Sequence, residues 1–136
     1  MRVSLDSPLP TPFADRFADV ARVDLPGGAL LTLAGQVAVD DTGTVIAPGD
    51  AGAQAVRIFE IIGGLLAAHG AGLADILHIR TYLTDFQDLP AYAVVRRRLF
   101  PQNPPASTTV QVSALFLAEA RLEVEVTAAI ARPAAG

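Results

Sequence analysis

The chain has 136 residues, of which 51% are hydrophobic and only 18% charged, and its formal net charge is −4. That length fits one domain with a real core, the acidic balance offers no attraction to phosphate backbones or anionic lipid, and the small polar surface leaves a second face to be buried against another chain. Cysteine and lysine are absent, every basic residue being arginine or histidine, so thiol nucleophiles, disulfides, thiolate metal sites and Schiff-base amines are excluded.

Residues 1–18 carry Pro8, Pro10 and Pro12 and no clear period, which predicts an irregular N-terminal arm. The same stretch lacks the apolar core of a signal peptide, and the cytoplasm is the expected compartment. "DVARVD" at 19–24 alternates, "PGG" at 26–28 turns the chain, and "ALLTLAGQVAV" at 29–39 follows, so a hairpin is expected. "DDTG" at 40–43 is a second turn. From about Gly52 to His69, Ala55, Ile58, Ile62, Leu65 and Leu66 recur at helical spacing, and Gly70 stands where a left-handed cap is favoured. Gly63-Gly64 inside this helix costs about 1 kcal/mol per glycine relative to alanine, so either a close approach to the sheet compensates or the helix is weakened there. Glu60 and Gln36 interrupt the longest apolar runs, so none reaches the roughly 18–20 residues of a membrane span.

"ILHIRTYLT" at 76–84 alternates, which predicts a strand with Leu77, Ile79, Thr81 and Leu83 on one face and His78, Arg80, Tyr82 and Thr84 on the other. "DLPAYAVVRRRLF" has Asp88 to cap it, Pro90 in its first turn and Pro101 beyond its end, so a second helix is expected. Its "RRR" at 96–98 is no nucleic-acid patch, because consecutive helical residues point about 100° apart. "STTVQVS" at 107–113 and "RLEVEVTAAIA" at 121–131 complete the strands, and 132–136 is a short tail. The order predicts an α+β fold, a single mixed sheet with two helices on one face, over residues 19–131. In "ALLTLA" both alternate sets of side chains are mostly apolar, which fits burial on two sides. A neighbouring subunit is the natural cover for the face the helices leave open.

Four segments in register, "AGQVAVDDTG", "DILHIRTYLTDFQDLPAY", the P-A-x-x-T-V-x-V around Ser107, and "LEVEVTAAIA", resemble the RidA/YjgF family of reactive-intermediate deaminases. The resemblance covers roughly Asp19 to Ile130. It implies a chorismate-mutase-like fold assembled as a homotrimer, with small-molecule pockets at the subunit interfaces. Active members hydrolyse imines and enamines such as 2-aminoacrylate, holding the substrate carboxylate with an arginine and positioning water with a glutamate on the last strand. Glu123 matches that glutamate. The arginine of the family's "PAR" pattern is Ser107 here, and two further polar positions of the family are Ala34 and Ala93.

A serine offers one neutral donor where a guanidinium offers two parallel charged ones, so the change predicts a less anionic, larger substrate than 2-aminoacrylate. Candidate substrate-binding residues are Ser107, Thr108, Thr109, Gly35, Gln36 and Tyr82, with Glu123 as the catalytic carboxylate. A serine nucleophile is disfavoured, because neither histidine is placed by the sequence as its base. Neither histidine belongs to a metal-ligand spacing, so no metal or cofactor is expected, and the expected partner is a small molecule rather than nucleic acid or membrane. An enzyme acting on an imine, enamine or related carbonyl compound is the leading reading. The alternatives are a pathway-specific tailoring enzyme (cyclisation, tautomerisation or dehydration) and a non-catalytic ligand-binding trimer.

Overall fold

The computed structural model describes residues 1–131, and the tail at 132–136 lies outside them. Six strands and two helices follow in chain order: β1 (Arg2–Asp6), β2 (Val20–Leu25), β3 (Gly28–Leu33), α1 (Ala51–Ala67), β4 (Ile76–Leu83), α2 (Leu89–Leu99), β5 (Ala106–Gln111) and β6 (Leu122–Ala131). They build one sheet in the order β1-β2-β3-β6-β4-β5. Every pairing is antiparallel except β4 with β5, which are parallel and joined through α2. Both helices pack on one face, the α+β arrangement expected from the alternation of patterns.

The hairpin of β2 and β3 turns at Pro26-Gly27, and Gly28 opens the second strand against the end of β6. A Cβ at Gly28 would overlap the Ile130 carbonyl oxygen, so the strand pairing itself requires glycine there. Asp50 caps α1 by accepting from the Ala53 N–H at 2.9 Å, and Gly70 adopts φ +76° just past its end, as expected of a left-handed terminus. The apolar stripe of α1, including Ile58, Ile62 and Leu66, is fully buried against Leu31, Ile79, Leu122, Val124 and Val126 of the sheet. Gln54 is buried with them. Its amide donates to the Ile46, Ala47 and Glu119 carbonyls and accepts from the Arg121 N–H, tying two loops to the helix without an unsatisfied polar atom.

Two expectations are corrected, and one of two alternatives is removed. The arm at 1–18 is not irregular throughout, since Arg2–Asp6 pairs with β2 and extends the sheet by one edge strand. The paired glycines of α1 do not approach the sheet: Gly64 faces Leu9 of the arm, whose Cδ1 would sit 3.0 Å from an added Cβ, and Gly63 faces open space. In β4 an irregularity between Ile76 and His78 turns Leu77 outward, 51% exposed, and puts Ile76 into the core in its place. From His78 onward the alternation holds, with Ile79, Thr81 and Leu83 beneath the helices. On the opposite, uncovered face Leu30 of β3 is 39% exposed. Among the described residues no helix is long and apolar enough to cross a membrane.

Candidate active site

Strand alternation puts His78, Arg80 and Tyr82 of β4 and Glu123, Glu125 and Thr127 of β6 on the face that carries no helix, because Leu122, Val124 and Val126 occupy the core side. Tyr82 lies opposite Glu123 and Arg80 opposite Glu125. Glu125 is densely partnered: it accepts from the Tyr82 hydroxyl at 2.5 Å and from Arg80 Nε at 2.8 Å. Arg80 also donates to Thr127 Oγ1 at 3.3 Å and to His78 Nδ1 at 3.0 Å. That bond leaves the imidazole proton on Nε2, which donates to Thr108 Oγ1 at 3.1 Å. Burial alone would raise the Glu125 carboxyl, but the hydrogen bonds from Tyr82 and Arg80, with the arginine charge, outweigh it and hold Glu125 below its ordinary range. The same bond to Glu125, reinforced by burial, pushes the Tyr82 hydroxyl up.

Glu123 behaves in the opposite way. It is partly buried and accepts no hydrogen bond from any described residue, and Arg121, its neighbour along the strand, is taken by Asp88 at 2.7 Å. Burial, with the charge of Glu125 added, lifts the Glu123 carboxyl above its ordinary value. Room for it comes from Gly35: a Cβ there would stand 2.5 Å from Glu123 Oε2. The close backbone approach is fixed by a two-way main-chain bridge of Gln36 with Val124, at 2.8 and 3.0 Å. Gln36's side chain serves the loop itself, donating to Asp19 Oδ1 and to the Ala34 carbonyl, both at 3.1 Å. Gly35 and Gln36 also border a cavity of about 200 Å³ closed by Phe13 of the arm, Arg57 of α1 and Phe116.

The three hydroxyls of β5 do not share one pocket. Thr108 faces the open side beside His78, whereas Ser107 and Thr109 lie in register with the core-facing Ile79 and Thr81, on the helix side. There Ser107 Oγ accepts from Arg96 Nη1 at 3.3 Å. The same Nη1 donates to the hydroxyl of buried Tyr92 at 3.1 Å, and Tyr92 is bonded in turn to Thr81 Oγ1 at 2.5 Å. Within one chain, therefore, Glu123, Gly35, Tyr82 and Thr108 belong to one face of the sheet or its rim, and Ser107 and Thr109 to the other. Arg96, which reaches the candidate residue Ser107, is a neighbour the sequence alone does not single out. Its spacing of four from Tyr92, which puts both on one side of α2, was the available signal.

A family model described as Endoribonuclease L-PSP matches residues 16–130. The chain is 37% identical over 93 residues to protein DfrA of Myxococcus xanthus, covering 68% of this chain and 71% of that protein. It is 32% identical over 95 residues to the 3-aminoacrylate deaminase RutC of Acinetobacter baylyi, covering 70% and 75%. Among solved structures, YyfA of Yersinia pestis, a Rid-family protein of unknown function, superposes with a TM-score of 0.82 at 23% identity, covering 95% of this chain and all of that one. RidA of an Antarctic Psychrobacter superposes with a TM-score of 0.80 at 24% identity, again over 95% of this chain. The chain belongs to the RidA/YjgF family, and its single mixed sheet with two helices is that family's fold. Among the described residues no group of three or more histidine, aspartate or glutamate side chains is arranged to hold a metal ion.

Proposed function

We propose that the protein hydrolyses a small imine or enamine at pockets between the subunits of a homotrimer, with Glu123 as the catalytic carboxylate. The observation that carries this reading is the contrast between two carboxylates on one strand. Glu125 is neutralised by Arg80 and Tyr82, while Glu123 stands unpartnered among the described residues, partly buried, and raised. Environments that push paired carboxylates apart in pKa assign one to charge balance and leave the other to move protons. Protonated Glu123 gives its proton to the imine nitrogen. Water then adds to the imine carbon and returns a proton to Glu123; Glu123 passes that proton to the adduct's amine, the C–N bond breaks to release ammonia, and the hydroxyl proton returns to Glu123 as the carbonyl forms. The name of the relative from Acinetobacter baylyi, a 3-aminoacrylate deaminase, supports the same bond being cleaved here.

By the likeness of Pro105-Ala106-Ser107 to the family's "PAR" pattern, Ser107 takes the place of the substrate-binding arginine, and the protein is not an ordinary 2-aminoacrylate deaminase. Ser107 and Thr109 contribute from one subunit and Glu123, Gly35 and Tyr82 from its neighbour, with Thr108 holding His78 in place. The test is ammonia release from 2-aminoacrylate and from longer imines generated in place by an amino-acid oxidase. The wild type should accelerate hydrolysis of the longer imines, and Glu123→Gln should lower that rate about 100-fold or more. A wild-type rate equal to buffer, or full activity in Glu123→Gln, would refute the reading.

A further inference from the structure

The geometry points to Arg96 as the residue that binds the substrate's carboxylate, from the last turn of α2, replacing a cation that β5 does not carry. This rests on the reading of the site just given and names its substrate class: 2-imino or 2-enamino acids that keep their carboxylate.

Among the described residues the partly buried arginines Arg22, Arg57, Arg80 and Arg121 each pair with a carboxylate. Arg96 is partly buried and pairs with none. Its Nε is buried with no hydrogen-bond partner, so the desolvation of that one N–H is left uncompensated, and no carboxylate balances the charge. The side chain is nonetheless held in place. Its guanidinium carbon lies 5.5 Å from the ring centre of Tyr92 and 5.7 Å from that of Phe100, and Nη1 is tied to Tyr92 and Ser107. A cation fixed in this way and left without a counter-charge is prepared for an anion that arrives from outside.

The donors that remain suit a carboxylate. Nη2 makes no bond to any described residue, and Ser107, having accepted from Nη1, keeps its hydroxyl hydrogen to donate. Together they present two donors to two oxygens. Ser107 is exposed on β5, the edge strand, so a ligand can reach both. Serine at this position also avoids setting a second guanidinium against Arg96. The carboxylate is therefore gripped from the helix rather than from the strand.

The probe is 2-oxopentanoate, a stable carboxylate analogue of the hydrolysed imine, titrated beside its neutral methyl ester and followed by calorimetry or amide shifts. Wild type should favour the acid over the ester, and Arg96→Met should lower affinity for the acid about tenfold or more while leaving the ester unchanged, as loss of a charge-assisted bond requires. Arg96→Lys should recover part of the preference, and Ser107→Ala, which leaves α2 untouched, should lose a smaller part. If Arg96→Met does not fold, these two variants decide. An acid-to-ester ratio that is the same in wild type and variants, or no preference in wild type, overturns the assignment. Absent imine turnover with an Arg96-dependent preference for the acid supports the assignment and rejects the hydrolase reading. Unchanged turnover and KM in Arg96→Met do the reverse.

Discussion

Gly35→Ala isolates the contact on which the proposed chemistry depends. Gly35 has no positive φ, so alanine is not strained in its backbone, and the whole effect falls on what the new methyl meets. An added Cβ would lie 2.5 Å from Glu123 Oε2, and ordinary contact begins at 3.4 Å, so the carboxylate must withdraw by about 0.9 Å. Because the atoms that give way are the far end of a flexible side chain, the stability cost is that of an off-rotamer glutamate, about 1 kcal/mol. For a domain of this size that is a fall of about 4 °C in Tm. A misplacement near 1 Å costs a reacting geometry about 100-fold in rate. The assay pairs imine hydrolysis with thermal unfolding in one preparation: a rate loss of two orders of magnitude with a small Tm shift is expected. Wild-type turnover in Gly35→Ala would show that the position of Glu123 over Gly35 does not matter to the reaction.

Gly28→Ala should give the contrary pattern, because the methyl there meets the Ile130 carbonyl and only separation of β3 from β6 relieves it; thermal unfolding should show a loss of about 3 kcal/mol or more. Glu123→Gln should be more stable than wild type at neutral pH while losing activity. Raising a carboxyl's folded pKa above its unfolded value favours the protonated fold, a preference fully present below the unfolded pKa and lost as pH rises through the folded pKa. The advantage of glutamine therefore grows as pH rises through that range and disappears in acid, and denaturant melts at several pH values would show otherwise if the advantage were flat. If the proposed homotrimer forms, Leu30→Glu, on the bare face of β3, should shift it to smaller species in native mass spectrometry while leaving the helix-side core intact; an oligomer unchanged by the substitution would remove that face from the interface.

Most of this fold was legible because its elements announce themselves by period. The stripe Ile58, Ile62, Leu66 and the alternation Ile79, Thr81, Leu83 match the burial found for them. What escaped were local departures from period. Leu77 follows the alternation in sequence, but an irregularity one residue long reverses its side, and nothing in "ILHI" marks it. β1 escaped because "RVSLD" owes its strand state to pairing with β2 rather than to a buried face of its own; four of its five residues are exposed. At the site, Glu123 and Gly35 were reached from family resemblance and do lie together. The hydroxyl run of β5 looked like one cluster only because consecutive letters are adjacent in sequence, whereas a pleated strand sends them to opposite sides. Arg96 was hidden in "RRR", where composition suggests a solvated patch. Only the path of α2 past the edge of the sheet distinguishes it from Arg97 and Arg98, which are exposed.

That division of the sheet constrains how the site can be assembled. Glu123 stands on the face without helices, Ser107 and Arg96 on the face with them, and a two-sided sheet does not let one small ligand touch both through its own backbone. If both halves act on one substrate, they come from different chains, which makes the requirement testable by mixing. Glu123→Gln supplies an intact Arg96 half and Arg96→Met an intact Glu123 half. Chains of the two variants, unfolded together in equal amounts and refolded, assort at random. Each half of a given site is then intact with a chance of one half, so about one quarter of all sites in the randomly assorted population, hybrid and unmixed oligomers together, regain both groups. Recovery of about a quarter of wild-type turnover, from two variants that are each nearly inactive, is the expected result. No recovery from mixtures that native mass spectrometry shows to be hybrid would place the working groups within one chain, and would return the search to the open face around Glu123, Tyr82 and Thr108.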